Sequence, residues 1–580
     1  MAPGSHDGSM DIRIQIVIGF FVLVLIILLP LWIFPSAFPG AMPASGGDNF
    51  VKVRILAVND FHGQLPSGKS LNHTPVGSSP VLASYLRSEM ARDDVSATVL
   101  ALPGDLVGAS PPDSGLLLDE PAILTFNTFA DTCCPATSMS CDKKCTVLAT
   151  FGNHEFDKGV PELLRKLSGG NGSTTIPHLI DPYPGSRTTY VCSNVVWTIN
   201  ATPVAQPYVI REVDGIPIAF IGADTVLTTG LEMPANIEGV SFLNETESIN
   251  RYVKEVQRTG VHAIVVLLHE GGNQDAYEGF TRTGTNVTGR ITGIVAGLDP
   301  DVDVILSGHT HNFTNAYLNN SGGKPVLVTQ AYSYSVAFSE TELTLDPTSR
   351  EITNKTARIV TTRADRPPGT EPDPAAAAIL ADADKTVAPL TGRLIATASM
   401  DITRNQNAAG ECALGDLVAD GQRAAMGADV GFITTGSLRA DIAKGNVTWG
   451  DLYAVQPFYG TVLSMTLTGN QIREVLEQQW GSPMPPHNLA VSGLSYSWDP
   501  DKPVGSRVSD IRVGGVPLEP DKNYTAAMPD YLASGGDNYS VFTEGTNVAR
   551  GPTDIDALAA YIGSLPQPVN GTLDTRIIVR

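Results

Sequence analysis

The chain has 580 residues, with 60 Asp and Glu against 38 Lys and Arg, for a formal net charge of −22. Its length exceeds the ~100–200 residues of a single domain, so two or more domains with ample core are expected. The charge argues against nucleic acid as a partner. It also repels phosphorylated substrates unless a metal centre supplies positive charge where the phosphate must sit.

Near the start, Ile14 to Phe34 form an apolar stretch broken only by Gln15, Gly19 and Pro30 and preceded by Arg13. At about 21 residues it can span a bilayer and is longer than the ~7–15 of a signal-peptide core, so residues 1–48 are expected to be an uncleaved single-pass anchor and spacer. A cleaved signal, processed near Ala41 and Ala44, is the alternative. Asp574 to Arg580 carries no hydrophobic tail of the lipid-anchor kind.

Either route places the rest of the chain at the cell surface or in the secreted space. N-x-[ST] sequons at Asn72, Asn171, Asn200, Asn244, Asn286, Asn354, Asn446, Asn523 and Asn570 fit a glycosylated ectodomain of eukaryotic type. Asn312 would be a poor place for a glycan, because it adjoins His311. Of six cysteines, Cys133, Cys134, Cys141 and Cys145 crowd one polar insertion, with Cys192 and Cys412 apart. The cluster reads as disulfides of an oxidising compartment; a zinc knuckle is the rival, against which adjacent Cys133 and Cys134 have the wrong spacing for a C-x-x-C pair.

Five apolar runs then end in residues that bind metals. Val53 to Val58 leads into Asn59-Asp60-Phe61-His62-Gly63; in an extended segment residues two apart share a face, so Asp60 and His62 can point at one ion. Thr98 to Pro103 leads into Gly104-Asp105, and Val147 to Phe151 into Gly152-Asn153-His154-Glu155-Phe156-Asp157. Ile264 to Leu268 ends at His269-Glu270-Gly271-Gly272, and Val304 to Leu306 at Ser307-Gly308-His309-Thr310-His311. Such strands deliver their side chains beyond the carboxyl edge of an open α/β sheet. An Asn amide oxygen between two dications adds a donor without another negative charge near an anionic substrate. His154, next to Asn153, is then free to face the substrate, with Asp157 fixing its tautomer. The same six residues also read as a helix start with Asn153 as N-cap.

The motifs D-x-H-G, G-D-x-x-G, G-N-H-E-F-D, H-E-G-G and S-G-H-T-H resemble those of the calcineurin-like metallophosphoesterases, and among them the 5′-nucleotidase family that includes periplasmic UDP-sugar hydrolase and animal ecto-5′-nucleotidase. The resemblance covers roughly residues 50 to 580. It implies that Asp60, His62, Asp105 and His311 hold one divalent ion and that Asp105, Asn153, His269 and His309 hold a second, with zinc expected and manganese, cobalt or magnesium as alternatives. Family members often carry Gln or Asn where this chain has His311.

Beyond residue 362, Arg366-Pro367-Pro368-Gly369 signals a linker, and Ala375 to Val387 reads as a bridging helix. The division is therefore a metallophosphoesterase domain at 49–362, a linker and helix at 363–391, and a C-terminal domain at 392–580. In the last, Asp416 to Ala424 and Asn470 to Gln478 read as helices and Thr461 to Leu467 as a strand. Three pieces resemble the family's nucleotide pocket: Arg439 in Gly436-Ser437-Leu438-Arg439, the stacking Phe458 in Gln456-Pro457-Phe458, and Tyr531 with nearby Asp537. Thr434 stands where the animal enzyme has Asn, and Arg404 is the nearest candidate for an arginine otherwise lacking before Glu411-Cys412.

The reading is a two-domain α/β enzyme, an N-terminal four-layer metallophosphoesterase sandwich with a second α/β domain that binds substrate. The resemblance implies in-line attack of water on the terminal phosphorus of a nucleoside 5′-monophosphate, releasing nucleoside and phosphate. Rival activities are hydrolysis of nucleoside di- or triphosphates or UDP-sugars, and 2′,3′-cyclic-nucleotide phosphodiester cleavage. The non-enzymatic rival is a binding protein on a dead scaffold. Sequence leaves the oligomeric state open.

Overall fold

The computed structural model describes residues 50–133, 145–172, 176–284, 286–368, 371–481 and 488–580. The expected anchor at Ile14 to Phe34, together with Cys134, Cys141 and the side chains of Cys133 and Cys145, lies outside them. Among the described residues, no helix is long and apolar enough to cross a membrane, and Cys192 and Cys412 are buried free thiols.

The N-terminal half is built on two six-stranded sheets. One runs, in spatial order, Ile352–Thr361, Ala337–Leu345, Val51–Ala57, Ala97–Pro103, Cys145–Thr150, Thr189–Tyr190; the other Phe313–Asn319, Pro325–Ala331, Val302–Ser307, Ala263–His269, Ile216–Asp224, Tyr208–Val213. The strands Ala97–Pro103, Ala263–His269 and Val302–Ser307 are buried along their whole length, as strands with both faces covered must be. Their alternation assigns the layers. Val53, Ile55, Val99, Val265 and Leu267 share the core between the two sheets. Leu56, Leu100, Leu102 and Ala149 face the helices Ser79–Met90 and Glu120–Cys133, and Ile264, Val266 and Leu268 face Glu245–Gln257 and Arg290–Gly297. Helix, sheet, sheet, helix is the expected four-layer sandwich.

The five ligand-bearing strands do not share one sheet edge. Val51–Ala57, Ala97–Pro103 and Cys145–Thr150 are parallel neighbours in the first sheet, while Ala263–His269 and Val302–Ser307 are parallel neighbours in the second. An apolar run shows that a strand is buried but not which sheet buries it, and here the carboxyl ends of both sheets open at the same end of the sandwich.

The bridging helix spans Pro374–Thr391, started by Asp373, whose side chain accepts from the Ala376 N–H at 2.9 Å and pairs with Arg87 at 2.6 Å. Its Ala376, Ala383 and Val387 pack into the helical core of the N-terminal half. The C-terminal half centres on a five-stranded sheet of order Leu489–Ser492, Val430–Thr434, Asn523–Pro529, Thr461–Thr468, Thr546–Thr553. Helices Ala413–Met426 and Asp554–Ser564 pack with Ile433 and Ala490 on one side, and Gly469–Gln478 packs with Phe432 and Leu467 on the other. The two helices and the strand expected from sequence fall inside these elements.

Candidate active site

Where the two sheets of the N-terminal half end, the chain turns sharply. Asp60, His62, Asp105, His309 and His311 all have left-handed backbone, with φ of 50°, 48°, 52°, 73° and 58°. Non-glycine residues adopt this conformation at a cost of order 1–3 kcal/mol each and keep it where the surroundings over-determine it, which is common at functional sites. The extended arrangement expected for Asp60 and His62 is therefore not the one found. The strand ends at Ala57, and it is the turn after it that brings the two side chains together.

Ligand atoms of Asp60, His62, Asp105 and His311 lie within 4.8 Å of one another, and those of Asp105, His269 and His309 form a second such group. Asp105 belongs to both. Asn153 joins the second group, its Oδ1 3.1 Å from His309 Nδ1. Asn153 is not an N-cap. The short 3-10 turn Asn153–Phe156 begins after Gly152, which leaves the Asn153 amide free to face the site.

The backbone around the cluster fixes two of the imidazoles. His62 Nδ1 lies 2.9 Å from the Gly108 carbonyl and His269 Nδ1 lies 3.0 Å from that of Pro103. Each ring thus donates outward and turns Nε2 inward. There His62 Nε2 meets His311 Nε2 at 3.0 Å, and buried His269 Nε2 has no hydrogen-bond partner, only Asp105 Oδ2 at 3.1 Å. Burial pushes the His309 imidazole down to about 4 and holds that of His62 well below its usual range, so both present neutral lone pairs. Burial works against Asp105, but the adjacent His269 and His154 hold its carboxyl well below the usual carboxylate range. Two carboxylates, one amide oxygen and inward imidazole nitrogens, buried and sharing one bridging acid, suit a pair of divalent ions.

Glycines make the approach possible. A Cβ on Gly104, at φ +88°, would come within 2.3 Å of His269 Nδ1, and one on Gly152 within 2.3 Å of Asp105 Oδ1. Glu155, which no motif logic singled out beyond a helix-start role, ties these loops together. Its carboxylate accepts from the N–H groups of Asp105, Leu106 and Gly152 at 2.9, 2.9 and 2.5 Å. Burial, with the charge of Asp105 beside it, pushes Glu155 up to about 7.

His154 stands apart from the two ligand groups. Its Nδ1 lies 2.9 Å from Asp157 Oδ1, and its backbone N–H donates to Asp105 at 3.0 Å. Burial opposes protonation of the ring, but Asp157 and Asp105 outweigh it and raise its affinity for a proton. Glu232, not foreseen from sequence, lies within 4.8 Å of the His154 and Asp157 ligand atoms. Burial, then the charge of Asp157, holds its carboxyl well above the usual range, so it faces Asp157 as a neutral acid. A buried acid far along the chain carries no local sequence signal.

The C-terminal half reaches this point. Arg439 Nη2 lies 2.9 Å from His154 Nε2, the Phe458 ring lies nearly parallel to that of His154 at 6.1 Å, and Lys158 Nζ donates to the Phe458 carbonyl at 2.8 Å. Tyr531 and Asp537 are held to each other, the Tyr531 hydroxyl donating to Asp537 Oδ1 at 2.8 Å and accepting from the Asp537 N–H at 3.0 Å. Arg404 is exposed, donates to the Leu438 carbonyl at 3.1 Å and lies 3.8 Å from Asp441. Thr434 is buried, its hydroxyl 2.8 Å from that of Ser437.

The family model for calcineurin-like phosphoesterases matches residues 53–313, and the model for the 5′-nucleotidase C-terminal domain matches residues 391–544. Cell wall protein Lmo0130 of Listeria monocytogenes is 32% identical over 574 residues, covering 91% of this chain and 69% of that protein. Endonuclease YhcR of Bacillus subtilis is also 32% identical, over 536 residues and 91% of this chain, which spans only 41% of that relative's length. Among solved structures, a 5′-nucleotidase precursor from Thermus thermophilus superposes with a TM-score of 0.72 at 25% identity, covering 91% of this chain and 99% of that one.

Proposed function

Because this chain belongs to the 5′-nucleotidase family of calcineurin-like metallophosphoesterases, we propose that it releases phosphate from nucleoside 5′-monophosphates, outside the cytoplasm, to give nucleosides. Asp60, His62, Asp105 and His311 would hold one divalent ion and Asp105, Asn153, His269 and His309 the other, with zinc the first choice. Bound there, the ions supply Lewis acidity and positive charge at the phosphate.

The chain's own groups do the rest. Arg439 and His154 converge on one point from opposite halves, where donors from both meet the equatorial oxygens on which charge gathers in the transition state. Asp157 orients the His154 ring through Nδ1 and Glu232 backs Asp157, so Nε2 is the atom that meets substrate. Phe458 and Tyr531 are the proposed faces for the base, and a stacking face reads little sequence, so breadth among nucleosides is expected. The observation that carries this reading is Arg439 at 2.9 Å from His154, since it puts the C-terminal half onto the reacting group. A dead scaffold has no use for a complete ligand set in which His62 and His269 are oriented by backbone carbonyls. A cell wall protein among the relatives supports an extracytoplasmic location, and the apolar stretch Ile14 to Phe34 is the proposed attachment.

The test is phosphate release by purified, metal-loaded protein from AMP, UDP-glucose, a 2′,3′-cyclic nucleotide and an aryl phosphate. Highest kcat/KM on AMP is the expected result. Preference for the cyclic diester or the UDP-sugar, with AMP a poor substrate, would replace this reading.

A further inference from the structure

Asp157 alone, at 2.9 Å from His154 Nδ1, is enough to orient the imidazole, so Glu232 is surplus to that pair. Glu232 is nevertheless only 7% exposed. It follows the short helix Thr228–Leu231, far along the chain from the loop that carries His154, and its carboxylate lies within 4.8 Å of the ligand atoms of both His154 and Asp157. None of these three residues belongs to the two ligand groups that share Asp105. Asp157 is held in place from behind: the Ala109 N–H donates to its Oδ2 at 3.2 Å, and Gly108, at φ +78°, lets that oxygen approach where a Cβ would come within 2.6 Å of it.

Two carboxylates this close and out of bulk water do not both keep their charge unless a cation comes between them, either a proton or a metal ion. One imidazole nitrogen and two carboxylates are zinc ligands, and three protein donors with an open fourth position is a regular zinc arrangement. A tetrahedral zinc holds its ligand atoms about 3.4 Å apart, so side-chain shifts of about 1 Å would close this group on an ion. The way in is open, since the side chains of His154 and Asp157 are 14% and 12% exposed. With three donors against four in each of the other groups, and a proton to displace, this site is the weakest of the three.

We propose that His154, Asp157 and Glu232 form a third metal site, filled by zinc in excess over the two ions of the ligand cluster, and that filling it shuts the enzyme down. The inhibitory part of the inference rests on the role of His154 under Proposed function; the site itself does not. Zinc would bind His154 at Nδ1, the ring nitrogen turned to Asp157, and the two carboxylates from the other side. The protons held at Nδ1 and between the carboxylates pass to solvent. His154 then loses the carboxylate that orients it and the proton that Asp157 helps it hold, while Nε2 still faces Arg439.

The test starts from full-length protein already carrying two zinc ions and adds zinc, reading bound metal by equilibrium dialysis with elemental analysis and hydrolysis of an aryl phosphate, each variant against its own rate without added zinc. Wild type should take up a third ion and lose activity as it does so. Glu232→Gln keeps the size of the side chain and a donor toward Asp157 but not the charge. It should stay at two ions, and the zinc concentration that halves its rate should rise at least ~10–100-fold, the loss seen when even an outer partner of a metal ligand is removed. Asp157→Asn should likewise stay at two ions, which keeps the test open should the glutamine variant fold poorly. Two ions in wild type under excess zinc, or equal uptake by wild type and the variants, overturns the site. Uptake of the third ion with no loss of activity overturns the inhibition. Failure of wild type to hydrolyse any phosphate ester would instead fail the phosphatase reading, and the zinc count alone then decides the site.

Discussion

In the N-terminal half Asp60, His62 and His269 are 0% exposed and Asp105 1%, each at the end of a buried strand and most in a strained turn closed by glycine. In the C-terminal half Arg404 is exposed, Phe458, Tyr531 and Asp537 are half-buried, and all four lie on loops or short turns. Chemistry at phosphorus tolerates little displacement of the groups that hold charge, so those groups are built into the sandwich. Recognition of a flat base, the role proposed for Phe458 and Tyr531, tolerates more, and loops suffice. Substitutions in the ligand cluster and at His154 should abolish turnover on every phosphate ester, and those at Phe458 and Tyr531 should change which ester is preferred.

The largest effect is expected at the shared acid. Asp105→Asn should lose both ions by elemental analysis and lower turnover by more than the ~10²–10⁴ of a missing acid–base group. Retention of both ions would remove Asp105 as the bridge. Next comes His154→Ala, with turnover lower by ~10²–10⁴ for AMP and aryl phosphate alike and metal content at the wild-type level; lost metal would make His154 a ligand. Glu155→Gln weakens the acceptor of three backbone N–H groups around Asp105, and metal affinity measured by chelator competition should fall ~10–100-fold. Unchanged affinity would make Glu155 a bystander. The smallest effect belongs to the contact between halves: Lys158→Ala should cost AMP about 0.5–1.5 kcal/mol in kcat/KM while the aryl phosphate holds. Equal losses on both substrates would place Lys158 in the chemistry instead.

Much of the first half is legible in the sequence because each ligand follows an apolar run that can be read locally. What sequence does not reveal is pairing at long range. The strand Val51–Ala57 lies between Ala97–Pro103 and the remote Ala337–Leu345, and nothing in either run announces the division of five ligand strands between two sheets. The left-handed turns at Asp60 and His62 are hidden for a related reason, since neither residue type demands positive φ and the surrounding structure imposes it. Glu232 escapes notice because its meaning depends on a group far along the chain, Asp157. In the second half, Arg439, Phe458, Tyr531 and Asp537 are reached by resemblance alone, and the structure adds that Arg439 and Phe458 meet His154.

The central claim is that the ligand cluster, His154 and Arg439 perform the chemistry while Phe458 and Tyr531 select the nucleoside, and a single pair of rate measurements tests it. Phe458→Ala combined with Tyr531→Ala removes two stacking faces worth ~1–3 kcal/mol each, so kcat/KM for AMP should fall well beyond tenfold. An aryl phosphate places no base in the pocket, and its kcat/KM should stay near wild type because it reports only the ligand cluster, His154 and Arg439. Equal losses on AMP and on the aryl phosphate would contradict the account, making both aromatics structural and leaving the selection of nucleosides without a physical basis in this fold.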